Sequence, residues 1–185
     1  AIKAAELAYD HKEATFALIR PPGHHASRDS YWGFCFFCNM AVAIRHLQST
    51  NRAQRAIIID FDLHYGDGNV DCLEDDTGIN IINPSSNNRE NYIEEVADVL
   101  AKEKAKITTG EIPPYDIFAV SAGFDNHIDD WGKTLLTDDY AELGRMGKDF
   151  ALSVCDSRRF ALLEGGYNPS SMAKAMESFL AEFGD

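Results

Sequence analysis

The chain has 185 residues, 45% of them hydrophobic and 25% charged, and a formal net charge of −13. That length suffices for one domain with a substantial core, and no apolar run approaches the roughly 20 residues of a membrane span. The acidity argues against nucleic acid as a direct ligand, which would need basic patches; it suits the encounter of cationic substrates, and it suits solubility alone equally well.

The chain opens without Met on a helical pattern through Ala1, Ala4, Ala5, Leu7 and Ala8, with no signal peptide, so it is expected to begin inside a larger domain. Thr15–Ile19 reads as a strand running into Arg20-Pro21-Pro22-Gly23-His24-His25, a loop in which proline fixes the backbone and glycine permits a sharp turn. Phe34, Phe37, Ala41, Ile44 and Leu47 recur at helical spacing. That helix would contain Cys35-Phe36-Phe37-Cys38, which has the spacing of a redox motif but no second such pair. All four cysteines read better as core thiols in a reducing cytoplasm.

The β-branched run Ile57-Ile58-Ile59 reads as a strand buried on both faces. It ends in Asp60-Phe61-Asp62-Leu63-His64 and then turns at Gly66 and Gly68. At period 2, Asp60, Asp62 and His64 share one side of the strand end. Ile79–Ile82 is a further strand, followed by the polar loop Asn83–Asn88. From Arg89 to Lys106 a helix carries the stripe Ile93, Val96 and Leu100, its acids early and its lysines late. After Pro113-Pro114, Asp116–Val120 is a buried strand leading into Ser121-Ala122-Gly123-Phe124-Asp125-Asn126-His127. Tyr140, Leu143, Met146 and Phe150 mark a helix capped by Thr137. Phe160–Leu163 is the last strand and ends in Glu164-Gly165-Gly166-Tyr167. Asn168 and Pro169 open a final helix as N-cap and N1, with Met172, Met176, Leu180 and Phe183 facing inward. Without repeat or linker, the pattern predicts one α/β domain with a predominantly parallel sheet between helices.

Four strands thus end in polar loops that would meet at one sheet edge. They bring two adjacent histidines, Asp-x-Asp-x-His, an Asp after glycine and a Tyr after two glycines, the parts metal-assisted hydrolysis needs. Each part alone has an ordinary explanation: a solvated acidic turn, a hydrogen-bonded histidine pair, a loop carboxylate, a packing tyrosine.

As an ordered set, Arg20 to Ala26, Gly33-Phe34-Cys35, Asp60 to Gly68, Ser121 to Asp125 and Leu163 to Tyr167 resemble the zinc-dependent histone deacetylase and acetylpolyamine amidohydrolase family. The likeness runs from about residue 18 to 168 and is closer to the class II and prokaryotic branch than to class I. It implies a three-layer, arginase/deacetylase-like fold. It also implies that Asp62, His64 and Asp125 bind zinc, with iron or cobalt as substitutes, leaving a position open for water and the substrate carbonyl. His24 is then paired with Asp60 and His25 with Asp67, each carboxylate fixing a tautomer. His25 becomes the general base; whether His24 assists electrostatically or as the acid toward the leaving amine stays open. Tyr167 becomes the oxyanion donor. Phe34, with Gly33 and the Gly165 beside the tyrosine, is implied to bind substrate, an aromatic wall gripping the alkyl stem of an acyl-lysine. A potassium ion near Asp60, held partly by backbone carbonyls, is implied too, although the family's downstream serine is not obvious.

The chain also departs from the family. It lacks N- and C-terminal parts of the full domain, so residues 1–185 are expected to be a single deacetylase-like domain in fragment or compact form. Asn83–Asn88 stands where a glycine- and aromatic-rich loop supplies the channel's second wall, and Asp130-Trp131 stands where Asp-Pro is usual. His11, His46 and His127 read as structural or exposed, His127 lying close enough to Asp125 to assist it. The expectation is a cytoplasmic, zinc-dependent amidohydrolase acting on acyl-lysine or acetylpolyamine amides, with neither nucleic acid nor membrane as partner. The alternatives are a binuclear manganese ureohydrolase and a non-catalytic acyl-lysine-binding module.

Overall fold

The computed structural model describes residues 1–184, in which helix and strand alternate. In chain order the elements are α1 (Ile2–His11), β1 (Ala14–Ala17), α2 (Asn39–Ser49), β2 (Ala56–Asp60), α3 (Asp67–Leu73), β3 (Ile79–Ile82), α4 (Arg89–Thr108), β4 (Ile117–Ala122), α5 (Thr137–Val154), β5 (Arg159–Leu163) and α6 (Pro169–Phe183). The strands form one sheet in the order β1-β5-β4-β2-β3. Every pairing in it is parallel.

The period-2 alternation of the strands divides the apolar residues between two faces. Ile57, Ile59, Phe118, Val120, Ala161 and Leu163 pack against residues of α4, α5 and α6. Ile58, Ile117, Ala119, Phe160 and Leu162 pack against α1, α2 and α3. The result is the three-layer α/β arrangement expected from the sequence, with a core on each side of the sheet. Asn88 caps α4 by accepting from the Asn91 N–H at 3.1 Å, and Glu90 sits in its first turn and Lys106 in its last. No helix among the described residues is long and apolar enough to cross a membrane.

Several local expectations are corrected. The helix expected from Phe34 starts only at Asn39, because Gly33 and Phe34 both have left-handed backbones (φ 56° and 65°) that an α-helix cannot contain. Phe34 and Phe37 are accordingly exposed, and the helical spacing they share with Ala41 is a coincidence of composition. Cys35 and Cys38 are buried loop thiols, and Cys72 is only half-buried; all four cysteines are free. Thr137 is the first residue of α5, not its cap. The N-cap is Leu136, whose N–H donates to Asp139 Oδ2 at 2.7 Å. In α6 the fully buried face is Ser171, Ala175, Phe179 and Phe183, with Met172, Met176 and Leu180 partly buried beside it. The short helix α3, opened by Asp67, has no clear signal in the sequence because Gly66 at its N-cap and Gly68 in its first turn read together as a turn.

Parallel strands put their C-terminal ends at one edge, and the register makes this concrete. Asp60 lies opposite Ser121, Ala122 opposite Leu163, and Ala17 opposite Leu162. The loops after β1, β2, β4 and β5 therefore leave the sheet together, at the edge where open α/β sheets carry their sites. Beneath that edge Phe61, Phe124, Tyr140 and Phe179 form an aromatic cluster with ring centroids 5.3–6.2 Å apart. Phe61 and Phe124 anchor their loops downward, so that the acids beside them in sequence are turned the other way.

Candidate active site

Asp60 is the last residue of β2, and the chain keeps alternating through the turn that follows. Phe61 goes into the core while Asp60 and Asp62 are buried at the strand end. Backbone amides hold the carboxylates in place. Asp62 Oδ1 accepts from the His64 N–H at 2.9 Å and Asp62 Oδ2 from the Gly165 N–H at 2.7 Å. Asp125 Oδ1 accepts from the Leu63 N–H at 3.1 Å. Gly165 must be glycine for this approach, since a Cβ there would lie 2.6 Å from the carboxylate oxygens of both Asp62 and Asp125.

Asp62, His64 and Asp125 present one ligand atom each within 4.8 Å of one another. His64 Nδ1 lies 3.3 Å from Asp62 Oδ1 and 3.2 Å from Asp125 Oδ2. Burial, and then the charge of Asp62, push the Asp125 carboxyl up to about 7. Asp62 goes the other way: burial opposes its charge, but the hydrogen bonds from His64 and Gly165 keep it below its ordinary value. Asp125 Oδ2 is buried with no hydrogen-bond partner among the described residues. Two inward-facing carboxylates, one orphaned oxygen and an imidazole nitrogen fit a divalent cation, which would relieve both the repulsion and the unmet oxygen.

The histidine pair sits against these acids. His24 Nδ1 is 3.1 Å from Asp60 Oδ2, and its Nε2 is 3.6 Å from Asp62 Oδ1. Burial disfavours a charged His24, but the surrounding carboxylates, Asp60 first, outweigh it and raise the ring to about 10. His25 Nδ1 is 2.5 Å from Asp67 Oδ1 at the start of α3. Burial and the neighbouring His24 lower the pKa of His25 despite Asp67. Gly33 runs under the His25 ring, where a Cβ would meet Cδ2 at 2.4 Å.

A cavity of about 190 Å³ opens above this floor, lined by His25, Trp32, Gly33, Phe34, His64, Trp131 and Tyr167. Burial pushes the Tyr167 hydroxyl well above its usual pKa. A separate cleft of about 170 Å³, lined by Asp60, Asp62, His64, Asn83, Pro84 and Ser85 among others, lies on the side of the β3–α4 loop. The structure thus brings His24, His25, Gly33, Phe34, Asp60, Asp62, His64, Asp67, Asp125, Gly165 and Tyr167 to one sheet edge. His127 is buried and bonded to the Thr137 hydroxyl at 3.0 Å. His46 is bonded to Glu6, and His11 is exposed.

Other residues with a hold on this site received no role from sequence. Glu164 is fully buried: its Oε2 accepts from the Gly23 N–H (2.6 Å) and the His24 N–H (3.2 Å), and its Oε1 from the Ser121 hydroxyl (3.2 Å). Asn69 donates to Asp60 Oδ2 and to Ser121 Oγ, both at 3.0 Å. Arg20 reaches the carbonyls of Glu164 and Gly166. Asp130 Oδ2 accepts from the Tyr167 N–H at 2.8 Å and the Asn168 N–H at 2.7 Å. Trp32 donates to Asp67 Oδ2 at 2.8 Å. Glu164 did carry a signal, an acid closing the apolar run Phe160–Leu163; the others depend on how the loops and the short helix α3 are placed.

The sequence model for the histone deacetylase domain matches residues 1–92 and 79–183, two stretches that overlap at β3 and the start of α4. Histone deacetylase 14, chloroplastic, of Arabidopsis thaliana is 35% identical over 198 aligned residues, covering 92% of this chain and 47% of that protein. A probable deacetylase of Archaeoglobus fulgidus is 32% identical over 201, covering 91% and 54%. The chain therefore spans about half the length of the curated relatives it matches. Among solved structures, the acetylpolyamine aminohydrolase of Burkholderia pseudomallei superposes with a TM-score of 0.75 at 26% identity, covering 97% of this chain and 59% of that one. The HDA15 HD domain shares the fold, with a TM-score of 0.80 at 24% identity and coverage of 100% and 61%. A family match along nearly the whole sequence, on a sheet that superposes with solved members, leaves one assignment: the chain belongs to the histone deacetylase domain family.

Proposed function

We propose that this chain carries a zinc-dependent amidohydrolase site that removes acetyl or similar acyl groups from acyl-lysine or acylpolyamine amines. The observation that carries the reading is the convergence of the Asp62, His64 and Asp125 ligand atoms within 4.8 Å, beside a cavity that His25, Phe34 and Tyr167 also line. Asp62, His64 and Asp125 would hold a divalent cation, which when bound would supply polarisation of the amide carbonyl and a better water nucleophile at neutral pH.

The remaining work falls to the chain's own groups. His25 takes the proton of the attacking water at Nε2, since its Nδ1 is engaged by Asp67 and its ring, unlike that of His24, lines the cavity. His24, held by Asp60, keeps a positive charge beside the carboxylates as the tetrahedral species forms. Tyr167 donates its hydroxyl to the developing oxyanion, a contribution of about 3–4 kcal/mol. Phe34 and Gly33 flank the alkyl stem of the substrate amine. Potassium near Asp60 and a cytoplasmic setting belong to the same reading, the latter resting on four free thiols. Among the described residues this is the one group of three metal-ligating side chains, which favours one ion over a binuclear manganese centre.

The test is a panel of acetyl-lysine peptides, acetylpolyamines and small N-acetyl amines, assayed on chelator-stripped and on zinc-reloaded protein. Turnover that disappears on stripping and returns with one zinc per chain is expected. Undiminished turnover in stripped protein, or two ions per active chain, would refute the assignment.

A further inference from the structure

The chain has only two tryptophans, and both lie against rings at the site, Trp32 tilted on His25 and Trp131 stacked on Tyr167. Trp131 lies on Tyr167 with centroids 3.9 Å apart and planes at 20°, and meets the His64 ring edge-on at 6.2 Å and 87°. Phe34 touches the same tyrosine ring more loosely, at 6.0 Å and 57°. The loop after β3 contributes only Asn83, Pro84 and Ser85, and these line the separate polar cleft on the other side of His64. The cavity's second aromatic wall therefore comes from the segment after β4.

That segment is stiff where it needs to be. The Gly132 N–H donates to the Asp125 carbonyl at 2.8 Å, and the Leu135 N–H donates to the Asn126 carbonyl at 2.9 Å. Asp130, immediately before the indole, is buried and accepts from the backbone of Tyr167 and Asn168. Neighbouring residues thus grip Tyr167 twice, Asp130 by its backbone and Trp131 by its ring. The indole stays 55% exposed, so it stands at the mouth and not in the core.

We propose that Trp131 is a positioning and specificity residue: its indole restrains the Tyr167 ring and supplies the wall opposite Phe34 against which the substrate's apolar stem lies. The inference rests on the deacetylase reading for its kinetic consequences, but the restraint of Tyr167 can be read without turnover. An aromatic stack favours offset, near-parallel rings, and removing it frees the side chain's two torsions.

The experiment compares wild type, Trp131→Phe, Trp131→Leu, Trp131→Ala, Tyr167→Phe and the Trp131→Ala/Tyr167→Phe double variant, with folding checked by circular dichroism. In tyrosine-ring-labelled protein, the Tyr167 resonance, assigned by its loss in Tyr167→Phe, is expected upfield in wild type and Trp131→Phe. In Trp131→Leu and Trp131→Ala it moves toward the free-tyrosine position. On zinc-loaded enzyme, kcat for an acetyl-lysine peptide falls about tenfold in Trp131→Ala and recovers in Trp131→Phe, and KM rises in Ala and Leu. Because Trp131 acts through the tyrosine, the kcat loss disappears in the Tyr167→Phe background. A Tyr167 resonance indifferent to residue 131, or kcat losses that multiply in the double variant, overturns the proposal. If wild type turns over no acylated amine, the deacetylase reading falls instead, and the resonance comparison still decides whether Trp131 holds Tyr167.

Discussion

The floor and the mouth of the site are built on opposite principles. At the floor, Asp60, Asp62, Asp125, Glu164 and His24 are all buried, carried by the end of β2 and by the loops that follow β1, β2, β4 and β5, and crosslinked by hydrogen bonds from backbone amides. At the mouth, Trp32, Phe34 and Trp131 are 52%, 64% and 55% exposed and are carried by loops. The floor stores charge that only a cation or a hydrogen bond can settle, so small changes there have large effects. The mouth contributes apolar area that is partly wet in any case, so changes there should be graded.

Four experiments can break or sharpen that contrast. The largest effect is expected at Asp125. Asp125→Asn should abolish zinc-dependent activity, a loss of about a thousandfold or more if several kcal/mol of charge stabilisation goes with the ion. The same variant should behave oppositely in metal-free protein. The Asp125 carboxyl is raised to about 7 in the fold, above its unfolded value of 3.8, so its stabilising contribution is present at low pH and lost as pH rises through 7. Metal-free wild type should therefore lose melting temperature between about pH 4 and 7 relative to Asp125→Asn, and parallel curves would remove the case for buried repulsion.

Next, Tyr167→Phe should lower kcat about 10²–10³-fold with KM nearly unchanged, because the hydroxyl acts only as charge develops. A variant with unaltered kcat would take Tyr167 out of the chemistry. Third, Glu164→Gln should destabilise the protein by about 1–3 kcal/mol, seen in chemical denaturation, since the carboxylate accepts from Gly23, His24 and Ser121 where water cannot replace it. The smallest effect belongs to the mouth. Phe34→Ala should raise KM about fivefold or less, given how much of the ring is already in water, and should leave kcat within twofold.

What could be read in the sequence follows the same division. Period-2 alternation put Asp60, Asp62 and His64 on one side, and it extends beyond the end of β2 because Phe61 anchors the turn in the aromatic cluster. Parallel topology then required the loops holding His24, Asp125 and Tyr167 to emerge at the same edge. Phe34 shows the limit of periodicity: five apolar residues at helical spacing cannot reveal that Gly33 and Phe34 adopt left-handed backbones. Trp131 shows another limit. Its residue type was conspicuous, but nothing local states that it will lie on a ring 36 positions later. Glu164 was within reach, since a carboxylate closing the apolar run of β5 can be buried only if something donates to it.

The central position of β2 and β4 has a consequence in time. Both strands are paired on either side and buried at every residue, so their amide protons should exchange with solvent only when the whole sheet opens. The loops bearing Trp32 and Phe34 have no such ladder and can breathe on their own. On the proposed deacetylase reading, an acylated amine would enter and leave on the fast clock of the rim, while the two strands beneath the site keep the slow clock of global unfolding.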